Sequence, residues 1–155
     1  MSAREAAEDR ARAGAGGRVA AVDLGAKRIG VAFSDSGRSI ASPWGTIERS
    51  GDAARDRRAL VEVVREVEAT TLVVGLPLSL SGDVGPAAKA ALDEAAALRA
   101  LLEPAGVSVE TADERFTTVE AERALRAAGR TGKAARKVVD SAAAMVLLQA
   151  WLDNG

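Results

Sequence analysis

Carboxylates stand at three places in this chain where the surrounding pattern calls for apolar side chains. Asp23 closes the run "RVAAVDL", Asp113 and Glu114 close "VSVETADE", and Asp140 sits inside "KVVDSAAAMVLL". A carboxylate buried without a partner costs several kcal/mol or takes up a proton, so each position asks for a reason. If the fold gathers the three places, they line a pocket with oxygens, and such a pocket suits hard divalent ions, Mg2+ or Mn2+. Two such ions can activate a water and stabilise a leaving oxygen in phosphodiester hydrolysis. That chemistry needs neither imidazole nor thiol. The point matters because the chain has no histidine and no cysteine. Their absence excludes disulfides, thiolate or imidazole metal sites, and nucleophilic schemes built on Cys or His.

Each carboxylate also has a plainer reading. Asp23 precedes Gly25 by two residues and can form an Asx-turn. Glu114 can pair with Arg115 at the surface, where such pairs are worth little. Asp140 can pair with Arg136 or Lys137 one helical turn earlier. Taken singly, the plain and the chemical readings balance. Taken together, the plain ones lose ground, because the three places fall on three different elements.

A basic region lies close by in sequence. "GRTGKAARK" brings four cations, Arg130, Lys133, Arg136 and Lys137, with no acid, and Lys27 and Arg28 follow Asp23. Such a set can neutralise phosphates on either side of a metal site, although a solvated loop accounts for the same residues. The formal net charge is −1, so any nucleic-acid partner must be held by a local patch. Aromatic residues make up only 3%, which argues against base stacking as the main binding mode. The loop "GLPLSLSGDVGP" offers backbone amides to a phosphate but lacks the Lys-Ser/Thr ending of a P-loop.

The elements that must position these residues read as follows. Residues 18–24 and 29–34 form two buried strands around the turn "GAKR". A third strand, 39–48, is placed at a sheet edge by Pro43. Leu60, Val63, Val64 and Val67 recur at helical spacing over 52–68. "TTLVVGLP" is a buried strand stopped by Gly75 and Pro77, and Pro86 starts a helix that runs to about 103. A fifth strand begins at Val107, and a helix from Thr117 or Thr118 runs to about Ala128. After "GRTGK" a last, largely buried helix covers 134–152. The order βββαβαβαα predicts an α/β fold with a mixed five-stranded sheet and helices on both faces. The length of 155 residues suits one domain, 18–153, behind a flexible charged arm, 1–17. No run reaches the roughly eighteen apolar residues of a membrane span, and the start lacks a signal-peptide core. A soluble, cytoplasmic protein with no membrane partner is the expectation.

Four blocks, "VDLGAKRIGVAFSD", "VVGLPLSLSG", "DERFTTVEAE" and "KVVDSAAAMVLLQAWLD", resemble the successive blocks of the YqgF family. Its members are called pre-16S rRNA nucleases or Holliday junction resolvases. The resemblance covers about Arg18 to Asp153. It implies an RNase H-like fold, with the acid of the first-strand block at Asp23, that of the "DER" block at Glu114 and that of the last-helix block at Asp140. It further implies a divalent-metal-dependent endonuclease linked to maturation of the 5′ end of 16S rRNA and, more weakly, a junction resolvase.

The leading expectation is therefore phosphodiester hydrolysis by metal-activated water. Asp23, Glu114 and Asp140, with Asp113 in reserve, would hold Mg2+ or Mn2+. Lys27, Arg28 and Arg115 would orient phosphates, and Arg130, Lys133, Arg136 and Lys137 would grip the backbone of pre-rRNA or branched DNA. A resolvase would act as a two-fold homodimer, whereas trimming one rRNA end needs no dimer. Two readings from other classes stand beside it. One is a nucleotide-binding domain of the actin or sugar-kinase kind, for which the chain is too short and lacks a second phosphate loop. The other is an RNA-binding assembly factor without catalysis.

Overall fold

A computed structural model of the chain describes residues 16–115 and 132–154, the side chains of 132–140 lying outside the described residues. Strands β1 (Arg18–Leu24), β2 (Arg28–Ser34) and β3 (Ala41–Glu48) are followed by helix α1 (Ala53–Glu66). Strand β4 (Ala69–Leu76), helix α2 (Pro86–Leu102), strand β5 (Ser108–Asp113) and helix α3 (Gly132–Asn154) complete the described elements. The sheet order is β3-β2-β1-β4-β5. The first three strands are antiparallel, whereas β4 and β5 run parallel to β1. The mixed five-stranded sheet expected from the sequence is therefore present. The expected helix over 117–128, the arm over 1–15 and Arg130 lie outside the described residues.

Alternation along each strand divides the core into two layers. Ala20, Val22, Ile29, Val31, Leu72, Val74 and Val109 pack under Leu60, Val63 and Val64 of α1 and Ala95, Leu98 and Leu102 of α2. On the other face Val19, Ala21, Ala32, Ala41 and Val73 meet Ala144, Met145, Leu147 and Leu148 of α3. Helices thus cover both faces. The apolar spacing read from the sequence at 60–67 is the buried stripe of α1.

Several element ends differ from the sequence reading for identifiable reasons. Strand β3 begins at Ala41, not Ser39, because the Asp35 carboxylate takes the amides of Ser39 (2.8 Å) and Ile40 (2.9 Å). Those bonds, with the Ser39 hydroxyl, hold the Asp35 carboxyl down at about 2. Asp52 is the N-cap of α1, accepting from the amides of Ala54 (3.0 Å) and Arg55 (3.3 Å). Pro43 does lie on an edge strand, beside a bulge where the pairing skips Trp44. Gly75 does not stop β4, which continues through it to Leu76.

Helix α3 is held to the edge strand by two polar side chains in an otherwise apolar face. The Ser141 hydroxyl accepts from the Gly45 amide (2.8 Å) and donates to the Gly45 carbonyl (3.0 Å). Gln149 accepts from the Ala41 amide (3.0 Å) and donates to the Ser39 carbonyl (2.9 Å). Both residues are buried, so either side chain, if removed, leaves backbone groups of β3 without partners. Gln149→Leu should lower stability by about 1–3 kcal/mol in urea denaturation. A wild-type midpoint in that variant would show that the bonds do not hold α3.

Candidate active site

β1, β4 and β5 are parallel, so their carboxyl ends meet at one edge of the sheet, the usual place for a site in open α/β sheets. Asp23 stands one residue before the end of β1, and Glu114 follows the last residue of β5. Asp23 alternates in step with Val19 and Ala21, which face α3. Beyond the last β1–β4 pair, Val22↔Val74, the next residues in line are Asp23 and Gly75. The Glu114 carboxyl lies over Gly75, in the space where a side chain would begin, and is hydrogen-bonded to Asp23. Two carboxyls from strands separated by β4 thus touch across a glycine.

This contact leaves its mark on acidity. Burial, the hydrogen bond to Asp23 and the negative charges of Asp23 and Asp113 all push the Glu114 carboxyl up, to about 7. Asp23 does not form the Asx-turn; the Gly25 amide donates to the Asp23 backbone carbonyl instead (3.1 Å). Gly25 is required there, because a Cβ would sit 2.5 Å from the Arg28 carbonyl oxygen. The Arg49 guanidinium closes the same turn by donating to the Gly25 carbonyl (2.8 Å).

The three successive charges at the end of β5 go different ways. Asp113 takes the guanidinium of Arg115, with Nη2 to Oδ2 at 2.6 Å and Nε to Oδ2 at 2.9 Å, and this holds its carboxyl below the usual range. Arg115 also donates to the Leu80 carbonyl (3.1 Å) and so ties the loop after β4 to the end of β5. Lys27 is exposed, and Arg28 stands 3.9 Å from Glu48 in an exposed pair. Lys27 lies in the β1–β2 turn and Arg28 is the first residue of β2, both after Asp23 in the chain. The backbone of Asp140, Lys133, Arg136 and Lys137 belongs to α3, which packs on the face toward which Asp23 points; their side chains lie outside the described residues. Among the described residues no group of three or more Asp, Glu, His or Cys is set to hold a metal ion, and none of the helices is long and apolar enough to cross a membrane.

Sequence reasoning missed the part played by Gly75. The available signal was a glycine inside the β-branched run "TTLVVGL", a pattern that marks a close approach within a strand as well as a strand's end.

Sheet order and helix placement define an RNase H-like domain. The backbone resembles that of the RuvC protein of T. thermophilus, solved in complex with a Holliday junction substrate, with a TM-score of 0.58 at 16% identity over 88% of this chain and 94% of that one. A family model described as RuvX: Holliday junction resolvase matches residues 17–154, and the chain belongs to that family. Among its curated relatives, the protein from Mycobacterium sp. (strain KMS) is 45% identical over 138 residues, 89% of this chain and 80% of the relative. That from Mycobacterium leprae (strain TN) is 48% identical over 138 residues, 89% of this chain and 73% of the relative. Both bear the name "Putative pre-16S rRNA nuclease".

The raised pKa of Glu114 makes stability depend on pH in a defined direction. Its folded value, about 7, lies above the ordinary 4.5. The contribution is therefore fully present below 4.5 and is lost as pH rises through about 7. In chelator, the melting temperature should fall between pH 5 and pH 8 more steeply for the wild type than for Glu114→Gln. Equal slopes would show that Glu114 is not crowded by Asp23.

Proposed function

We propose that this chain is a divalent-metal-dependent endonuclease that hydrolyses a phosphodiester bond in maturation of the 5′ end of pre-16S rRNA. The observation that carries the reading is the contact between the Asp23 and Glu114 carboxyls at the carboxyl ends of parallel strands in an RNase H-like sheet. The names of the curated relatives supply the RNA substrate. Like charges in contact favour a cation between them, and all-oxygen donors suit Mg2+ or Mn2+. Asp23 and Glu114, together with Asp140 from α3, would hold the metal. Bound there, one or two ions would supply a hydroxide-like water and neutralise charge on the scissile phosphate.

The protein's own residues do the rest. Asp23 pairs with Gly30 of β2 and follows Val22, which pairs with both Val31 and Val74, so its backbone keeps its position as substrate enters. Glu114 gives up its proton when a cation takes that place. Lys27 in the β1–β2 turn and Arg28 at the start of β2, both exposed, attract the phosphates flanking the cut. Arg115 holds the Leu80 loop beside the site through Asp113, and Arg130, Lys133, Arg136 and Lys137 extend the grip along the nucleic acid. The setting is cytoplasmic, where pre-rRNA is made and trimmed.

A second reading, resolution of Holliday junctions, is favoured by the description of the matching family. It would require a two-fold dimer to cut two strands in concert. Purified protein with Mg2+ or Mn2+ should be offered pre-16S rRNA and a four-way DNA junction side by side, with its mass measured in solution. Cleavage near the 5′ end of the rRNA by a monomer supports the first reading, and paired junction cuts by a dimer support the second. Asp23→Asn should slow cleavage by about 10³-fold or more while leaving circular dichroism unchanged. Binding without cleavage of either substrate would leave an assembly factor, and specific binding of ATP by calorimetry would point to the kinase-like class.

A further inference from the structure

We propose that Gly75 is a positioning residue for the reaction, the notch in the sheet into which the Glu114 carboxyl must fit to reach Asp23. The inference rests on the reading of Asp23 and Glu114 as acting groups. It assigns to a residue with no side chain the task of setting their separation.

The argument begins with why a glycine stands there. Gly75 lies inside β4, buried, after Leu72, Val73 and Val74, in a run where β-branched residues pack best. It pairs in register with Ala112 of β5. Its backbone is not in the left-handed region that would demand glycine, so conformational freedom does not explain it. Space does. A Cβ at 75 would collide with Oε1 of Glu114, stand 3.1 Å from Cδ of Glu114 and stand 3.1 Å from Cδ2 of Leu147. The bare backbone is thus covered by two side chains at once, the carboxyl from the end of β5 and a leucine from α3.

Geometry then links this space to the carboxyl pair. Asp23 on β1 and Glu114 beyond β5 are separated by the width of β4. For their carboxyls to hydrogen-bond, the Glu114 side chain must lie down across β4, and the residue it crosses is Gly75. A methyl group at this point lifts the carboxyl away from the sheet. The Asp23 backbone, paired with Gly30 of β2 and preceded by Val22, which is paired with both Val31 and Val74, cannot follow it. Leu147 blocks the other way out, since it is 4% exposed and packed in the α3 core layer. The prediction is a displacement of the carboxyl with little change elsewhere.

The test uses the full chain and five variants, with kcat and KM measured separately and Mn2+ binding followed by calorimetry. Gly75→Ala should keep its circular dichroism, bind Mn2+ more weakly, and lose about 10- to 100-fold in kcat with KM within about twofold of wild type. Glu114→Asp alone should also lose kcat, because its carboxyl is drawn back by one methylene. Combined with Gly75→Ala it should regain kcat and Mn2+ affinity relative to Gly75→Ala alone, since the shorter side chain clears the methyl group. Losses that multiply, with no regain, overturn the proposal. So does wild-type cleavage by Gly75→Ala alongside an inactive Glu114→Gln, a result that leaves the reading of the site intact. Full activity in Glu114→Gln removes that reading and this proposal with it. Should Gly75→Ala fail to fold against α3, Gly75→Ala with Leu147→Val relieves the helix contact but not the carboxyl contact. Full kcat in that folded double variant would equally overturn the proposal.

Discussion

The structure is organised around two carboxyls that would separate if they were free to. Asp23 and Glu114 repel when both are ionised, and each is half-removed from the water that would screen them. What keeps them together is the sheet. Asp23 sits on a strand paired on both sides, and the Glu114 amide donates to the Leu76 carbonyl at 3.2 Å. The backbone under both groups is therefore fixed before any ligand arrives, and the stability of the core offsets the cost of crowding them. A proton or a cation relieves the crowding. Affinity for positive charge is built in by folding and not left to a flexible loop.

The two helical layers contribute differently to that rigidity. Under α1 and α2 the sheet presents Val, Ile and Leu, a thick layer that supplies most of the large buried side chains. Under α3 it presents Ala21, Ala32 and Ala41 against Ala144, so the layer is short and the helix can lie near the strands. Small apolar contacts fix position poorly, because many registers bury alanine equally well. Ser141 and Gln149 supply what alanine lacks, since each matches particular amide and carbonyl groups of β3 or of the segment leading into it. One register satisfies those groups, and a slip by one turn orphans them. The helix that carries Asp140 is thereby indexed to the same sheet that carries Asp23.

Much of this was legible in the sequence because the signals were backbone signals. Pro43 cannot donate to a ladder and so marked the edge strand, and Pro86 marked the start of α2. Leu60, Val63 and Val64 marked the buried stripe of α1. The site was legible only in part. Asp23 stood out as a charge in an apolar run, yet Asp113, Glu114 and Arg115 are three charges in a row, and residue type alone does not say which one turns inward. Gly75 reads as a strand end, because in a sequence a glycine that stops a strand and a glycine that admits a neighbour look the same. The neighbour is Glu114, 39 positions along the chain (114 − 75), and no local pattern spans that distance. Likewise, the start of β3 moved to Ala41 through side-chain capture by Asp35, which no strand propensity encodes.

The run Asp113-Glu114-Arg115 then shows how one segment sorts its charges. Asp113 takes the fork of Arg115, a geometry that satisfies carboxylate and guanidinium together and reaches on to the Leu80 carbonyl. What shifts Glu114 is its burial, Asp23 and Asp113, and all of these raise its pKa. The carboxyls between β1 and β5 are therefore crowded, and a proton on Glu114 relieves them below about 7, while Lys27 stands exposed in the β1–β2 turn and Arg28 at the start of β2. A cation beside the pair would relieve the same crowding without a proton, so proton and cation would compete for one place between the two strands.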